Sequence, residues 1–276
     1  MGLKSLIPNP IKTALKNVIP MSVIDQLEII TGERDVLTPP SRMIFIGDGD
    51  FKKVGQLGID RMVAIGDLKP TDRVLDVGSG IGRLAVPLTK YLTTGAYDGI
   101  EIVKEGVDWC NKEIHKRFPN FNFHHLNVYN KMYNPKGTMQ GHELRFPFAD
   151  ATFDYVILNS VFTHMLEADF ERYLAEISRV LKKGARGYIT MFWLNDESRR
   201  LNAEKKNKYD RVLTPFTEKT MVHIQDLPES MIAFDETYAR ESFKKAGLTI
   251  RDVKFGSWPG RENTIDYQDL LFVTKK

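Results

Sequence analysis

With 276 residues, 42% of them hydrophobic and 27% charged, the chain is long enough for one large α/β domain and has the balance of an ordinary folded protein. Its 39 basic and 36 acidic side chains leave a net charge of only +3, which argues against the basic stripe or tail of a nucleic-acid binder. The single cysteine, Cys110, can form neither an intramolecular disulfide nor a cysteine zinc site alone, so a cytoplasmic, reducing location is expected.

Residues 1–40 read as an N-terminal arm. Pro8, Pro10, Lys12 and Lys16 interrupt any signal-like apolar core, and Leu6 stands where N-myristoylation wants Ser or Thr. No apolar run approaches the ~20 residues that span a bilayer. Lys4, Lys12 and Lys16 alternate with Leu3, Leu6, Ile7, Ile11 and Leu15, the pattern of a weak amphipathic segment for an anionic membrane surface or a partner. The two prolines favour the other reading, an arm that docks its apolar residues on its own domain.

From residue 41 to 276 a single domain is expected. A helix over 54–68 ends before Pro70, and a short β run follows at 73–77, stopped by Gly78. Then come a helix over 84–92, a strand at 99–102, a helix over 103–118 and an extended run at 121–126. The apolar run at 153–158 has the composition of a strand buried on both faces. Phe170, Tyr173, Leu174, Ile177, Val180 and Leu181 form one helical stripe, for which Gly184 is the expected C-terminal cap. A β run at 187–193, a helix at 238–246 and an antiparallel pair at 248–255 and 268–273 complete the pattern. The alternation predicts an α/β fold: a three-layer sandwich around a mostly parallel seven-stranded sheet with an antiparallel last strand. Ligands in such sheets sit beyond the C-terminal strand ends, where strand order reverses.

The run Val74-Leu-Asp-Val-Gly-Ser-Gly-Ile-Gly-Arg83 puts Gly78, Gly80 and Gly82 directly after the first strand, where bare backbone amides can meet a ligand. A dinucleotide fingerprint would need its third glycine at Arg83. Asp76, two residues before the first glycine, repels a pyrophosphate and attracts a cationic amino-acid moiety. That favours S-adenosylmethionine over NAD. Glu101, at the end of the second strand, is placed to accept both hydroxyls of a ribose.

On these residues, 45–192 resemble the class I, Rossmann-like S-adenosylmethionine-dependent methyltransferases, in particular the bacterial small-molecule and glycan-modifying type. The resemblance implies that Asp76, Gly78, Ser79, Gly80 and Gly82 contact the methionine end and ribose of S-adenosylmethionine, and that Arg83 reaches its carboxylate. It implies Glu101 as the ribose-binding acid and Ile102 as packing on the adenine. Asn127, followed by Val128, stands where the family usually has Asp for the adenine amino group; an amide oxygen can still accept that bond. Asn159 and Ser160, beyond the fourth strand, are the remaining cofactor contacts it implies. The segment 45–51 either caps the cofactor or caps the helix after it.

After that strand the chain reads Asn159-Ser-Val-Phe162, without the paired prolines of enzymes that methylate DNA base amines. A nucleic-acid acceptor is therefore not expected. His164 is the candidate general base by residue type and place, with packing against the cofactor loop as the alternative role. Tyr129, Asp196 and His223 are lesser bids. His124 and His125 point to opposite faces of a strand, and no metal is expected. Residues 194–235 exceed a simple connection and are expected to cap the acceptor, with Phe162, Met191, Trp193 and Trp258 as pocket walls. The reading that follows is methyl transfer to a hydroxyl of a small molecule or glycan sugar unit. N-methylation of a small amine or peptide, a catalytically inactive adenosyl-binding protein and an NAD-dependent reductase are the alternatives.

Overall fold

The computed structural model describes residues 21–44 and 49–276. Helix α1 (Met21–Ile30) precedes helix α2 (Phe51–Ala64). Asp50 starts α2: its carboxylate accepts the Lys53 backbone N–H at 2.9 Å, satisfying one of the amides that a helix start leaves open. Strands and helices then alternate through β1 (Arg73–Val77), α3 (Ala85–Tyr91), β2 (Ala96–Glu101), α4 (Lys104–Cys110) and β3 (Phe121–His125). After β4 (Phe153–Leu158) come α5 (Glu167–Val180) and β5 (Leu181–Met191). The next stretch holds β6 (Trp193–Leu194), α6 (Asp196–Ala203), β7 (Thr214–Pro215), β8 (Thr220–Val222) and β9 (Ile232–Asp235). Helix α7 (Glu236–Lys245), β10 (Leu248–Lys254) and β11 (Asp269–Lys275) follow.

The main sheet has seven strands in the order β10-β11-β5-β4-β1-β2-β3. Only β11 runs antiparallel to its neighbours, as expected for the last strand. Alternating side chains feed two cores: Leu75 and Val77 face α5 and α7 on one side, while Val74 faces α2, α3 and α4 on the other. This is the three-layer arrangement, and β1 and β4 are apolar because both of their faces are covered. Strand order departs in both directions from β1, so the crevice for a ligand lies beyond the ends of β1 and β4.

Two elements differ from their expected form. Helix α5 stops at Val180 because Leu181 already pairs with Phe153 in the sheet; Gly184, at φ +75°, lies inside the strand and caps nothing. The helix expected over 103–118 is α4 followed by a widened π turn, Asn111–His115. Leu37 of the arm, and Met43 and Ile44 just after it, pack against the second core. The arm's lysine-bearing part and residues 45–48 lie outside the described residues.

The stretch after β5 folds into a four-stranded sheet, β6-β9-β8-β7, over a small core of its own: Phe192, Leu194, Leu213, Met231, Ala233 and Trp258. Side-chain bonds tie this unit to the main domain. Thr220 Oγ1 donates to Glu167 at the start of α5 at 3.0 Å. Buried Arg261 bonds Glu197 of α6 at 2.6 Å and Asp269 of β11 at 3.3 Å.

Candidate active site

At the end of β1 the chain turns sharply through Gly78, Gly80 and Gly82, all at positive φ. Gly80, at φ +55°, borders a cleft, with no atom within 4 Å of where a β-carbon would stand. Gly106 lets α4 close on the turn from behind: a β-carbon there would lie 2.8 Å from the Gly80 carbonyl.

Asp76 is almost fully buried, with 1% of its surface exposed. Its Oδ2 accepts the Tyr97 hydroxyl at 2.6 Å, whereas Oδ1 is buried without a partner. Burial pushes its pKa up to about 7, against the Tyr97 bond and with help from the Glu101 charge. Ser79 Oγ is also buried and unpartnered. A buried polar atom without a partner costs free energy, so these two oxygens mark where a ligand's donor belongs. Glu101 accepts backbone N–H groups of Gly80 at 2.7 Å and of Ile102 and Val103 at 2.8 Å each. Burial raises its pKa while those bonds work the other way.

The cleft beyond β1 and β4 has a volume of about 190 Å³. It gathers Asp76, Gly78, Ser79, Gly80, Arg83, Glu101, Ile102, Asn159 and Ser160, nearly the whole expected cofactor set. Ser160 holds φ +62°, an uncommon conformation fixed by its amide donating to Thr190 Oγ1 at 2.8 Å and its hydroxyl accepting from Gln268 Nε2 at 2.8 Å. The Arg83 guanidinium lies over the Phe51 ring, 5.6 Å from its centroid. Gly82, Asn127 and Val128 do not line the cleft. The Asn127 amide bonds Thr138 at 3.0 Å, Val128 is in the core, and Leu126 faces the cleft instead.

The same cleft is lined by His164, Tyr133, Asn130, Met165 and Tyr173. His164 Nδ1 lies 2.6 Å from the Glu229 carbonyl oxygen. A carbonyl only accepts, so Nδ1 carries the proton and Nε2 keeps a free lone pair in the neutral ring. Burial lowers the His164 pKa, the Glu229 bond opposes this, and Arg211 adds to it. Nε2 stands 3.4 Å from the Tyr133 hydroxyl, with the two rings edge to face at 5.2 Å. Asn130 ties the group together, donating to the His164 carbonyl at 3.2 Å and accepting the Tyr133 amide at 3.0 Å. Tyr133, Asn130 and the Glu229 carbonyl were not foreseen; they sit in segments without periodic pattern, where only an isolated aromatic in a polar loop hinted at a role.

The expected pocket walls are elsewhere. Phe162, Met191 and Trp193 are fully buried in the core between the sheet, α5 and α7. Trp258 is fully buried in the small core of the insertion, its indole N–H donating to Asp269 at 2.9 Å. Aromatic and sulfur side chains at strand ends here obey the period-two alternation and turn inward. His124 and His125 diverge as expected, toward Asp98 and the Ile102 carbonyl.

A doubly wound sheet with an acid-flanked glycine turn at its switch point defines the Rossmann-like methyltransferase class. Residues 75–189 match the family model described as a methyltransferase domain. An uncharacterized methyltransferase of Schizosaccharomyces pombe is 32% identical over 122 residues, 44% of this chain and 40% of that protein. The phthiotriol/phenolphthiotriol dimycocerosates methyltransferase of Mycobacterium tuberculosis is 32% identical over 117 residues, 42% of this chain and 36% of that one. Ribosomal RNA small subunit methyltransferase A of Dehalococcoides mccartyi is 29% identical over 122 residues, 44% and 40% of the two chains. The matches thus span about two fifths of each relative's length. A solved Pyrococcus horikoshii protein shares the fold, with a TM-score of 0.53 at 19% identity over 81% of this chain and 90% of that one. Over residues 75–189 the chain is similar to the class I S-adenosylmethionine-dependent methyltransferases, and the methyltransferase domain indicates S-adenosylmethionine as its cofactor. Among the described residues no helix is long and apolar enough to cross a membrane.

Proposed function

We propose that this chain transfers the methyl group of S-adenosylmethionine to a hydroxyl of a small molecule or a glycan sugar unit, with His164 taking the hydroxyl proton. The observation that carries the reading is the Glu229 carbonyl on His164 Nδ1, which leaves Nε2 as a free base in the same cleft as the glycine turn. The buried, unpartnered Asp76 Oδ1 and Ser79 Oγ fit the cofactor's ammonium, and Glu101 is the acid for its ribose. S-adenosylmethionine supplies an electrophilic methyl on a sulfonium. The acceptor oxygen gains that methyl as the sulfur–methyl bond breaks, and the hydroxyl proton passes to His164 Nε2. Lowering of the His164 pKa by burial keeps the base neutral at pH 7. Of residues 194–235, the 228–230 turn rests on His164 through the Glu229 carbonyl.

The test is to incubate the protein with S-adenosylmethionine and a panel of hydroxylated small molecules and sugars, with amines and a short RNA alongside. An O-methylated product is expected, and His164→Ala lowers turnover ~10²–10⁴-fold with cofactor affinity unchanged. Methylation confined to amines or RNA, or full turnover in His164→Ala, contradicts the proposal.

A further inference from the structure

We infer that the acceptor end of the cleft reads two adjacent oxygen atoms, as in a vicinal diol, one at His164 Nε2 and the other at the Tyr133 hydroxyl. This rests on the reading of His164 as the base for a hydroxyl acceptor.

The two groups are complementary. His164 Nε2 can only accept, because its tautomer is fixed by the Glu229 carbonyl. The Tyr133 phenol is a donor throughout the working pH range, since burial pushes its pKa up to about 12. They stand 3.4 Å apart, at the outer limit of a hydrogen bond, so their mutual contact is weak and readily exchanged for better ones. That span matches neighbouring oxygens on adjacent carbons: one hydroxyl donates to Nε2 while the next oxygen accepts from Tyr133. Both groups are held in place. Asn130 Oδ1 accepts the Tyr133 amide and Asn130 Nδ2 donates to the His164 carbonyl, which couples the loop after β3 to the turn after β4. Lys131 Nζ fastens the same loop to the Asp226 carbonyl of the insertion at 2.5 Å. Leu126 and Met165 offer apolar contact for the acceptor's carbon skeleton.

The test is an NMR titration of the protein saturated with S-adenosylhomocysteine. The probes are catechol and cis-cyclohexane-1,2-diol, each against its single-hydroxyl counterpart, phenol or cyclohexanol. At least one diol is expected to bind about three- to tenfold more tightly than its counterpart, the worth of one net hydrogen bond. Tyr133→Phe is expected to bring that diol down to the counterpart's affinity, with S-adenosylhomocysteine affinity unchanged as the check on folding. Equal affinities in every pair, no binding of any diol, or a preference that survives Tyr133→Phe overturns the inference. Turnover is scored separately. Tyr133-dependent diol binding without O-methyl product upholds the two-oxygen site and removes the hydroxyl-methylation reading. O-methylation of diols and single-hydroxyl probes at equal rates does the reverse.

Discussion

Of the polar groups proposed to hold the cofactor, Asp76, Ser79, Arg83 and Glu101 come from one stretch, residues 76–101, folded as strand, turn, helix and strand, joined by Asn159 and Ser160 after β4. The polar groups proposed to meet the acceptor come from three places distant in sequence: Asn130 and Tyr133, then His164, then the carbonyl of Glu229. The first set is local and stiff, with glycines, an acid and backbone amides fixed by the strands that carry them. The second is assembled by packing and is open to variation in each part. One sheet can therefore keep a cofactor while its acceptor changes, because the two halves of the site depend on different pieces of chain.

The sharpest way to break that contrast is at Glu101. Glu101→Ala removes the ribose acid and strands the Gly80, Ile102 and Val103 amides together. Calorimetry should find S-adenosylmethionine affinity down about tenfold to a hundredfold, the worth of hydrogen bonds to a charged group. Unchanged affinity would place the cofactor elsewhere.

A smaller effect, of opposite sign for stability, is expected at Asp76. Its folded pKa, about 7, lies above the ordinary 3.8. The unfolded chain therefore releases this proton as pH rises from 4 to 7 while the folded chain holds it, so the cofactor-free protein loses stability across that window. The displacement corresponds to at most about 4 kcal/mol. Asp76→Asn should match wild type in Tm near pH 4 and exceed it increasingly up to pH 8, while binding S-adenosylmethionine more weakly. A lower Tm at pH 8 would contradict this. In wild type the cofactor affinity should fall as pH drops below about 7, where Asp76 becomes protonated and loses its attraction for an ammonium. Turnover at saturating cofactor should bend at a lower pH, because burial holds His164 below the usual imidazole range. A common bend for both would merge the two halves that the structure separates.

The local half was legible in sequence. Strands 73–77 and 153–158 matched residue for residue, since strands covered on both faces announce themselves as unbroken apolar runs. Asp76 stands on the first of these strands, the glycine turn follows it, and Glu101 ends the next strand, so their placement in the cleft was readable from the strand pattern. Of the residues gathered around Tyr133 and Asn130 in the cleft, only His164 stood out in sequence. Met191 and Trp193 were read as pocket walls, yet whether a strand-end residue faces cleft or core depends on the register of β5 against β4 and β11. Trp258 was misplaced because nothing local tells that its indole is claimed by Asp269. Tyr97, which buttresses Asp76 from the neighbouring strand, and Tyr133 become visible only once strands and loops are brought side by side.

The most direct test of the account is a calorimetric titration of the protein with S-adenosylmethionine and, separately, with NADH. Micromolar binding of S-adenosylmethionine, weakened by Asp76→Ala and by Glu101→Ala, with no binding of NADH, is the expected result. Binding of NADH with none of S-adenosylmethionine would contradict it.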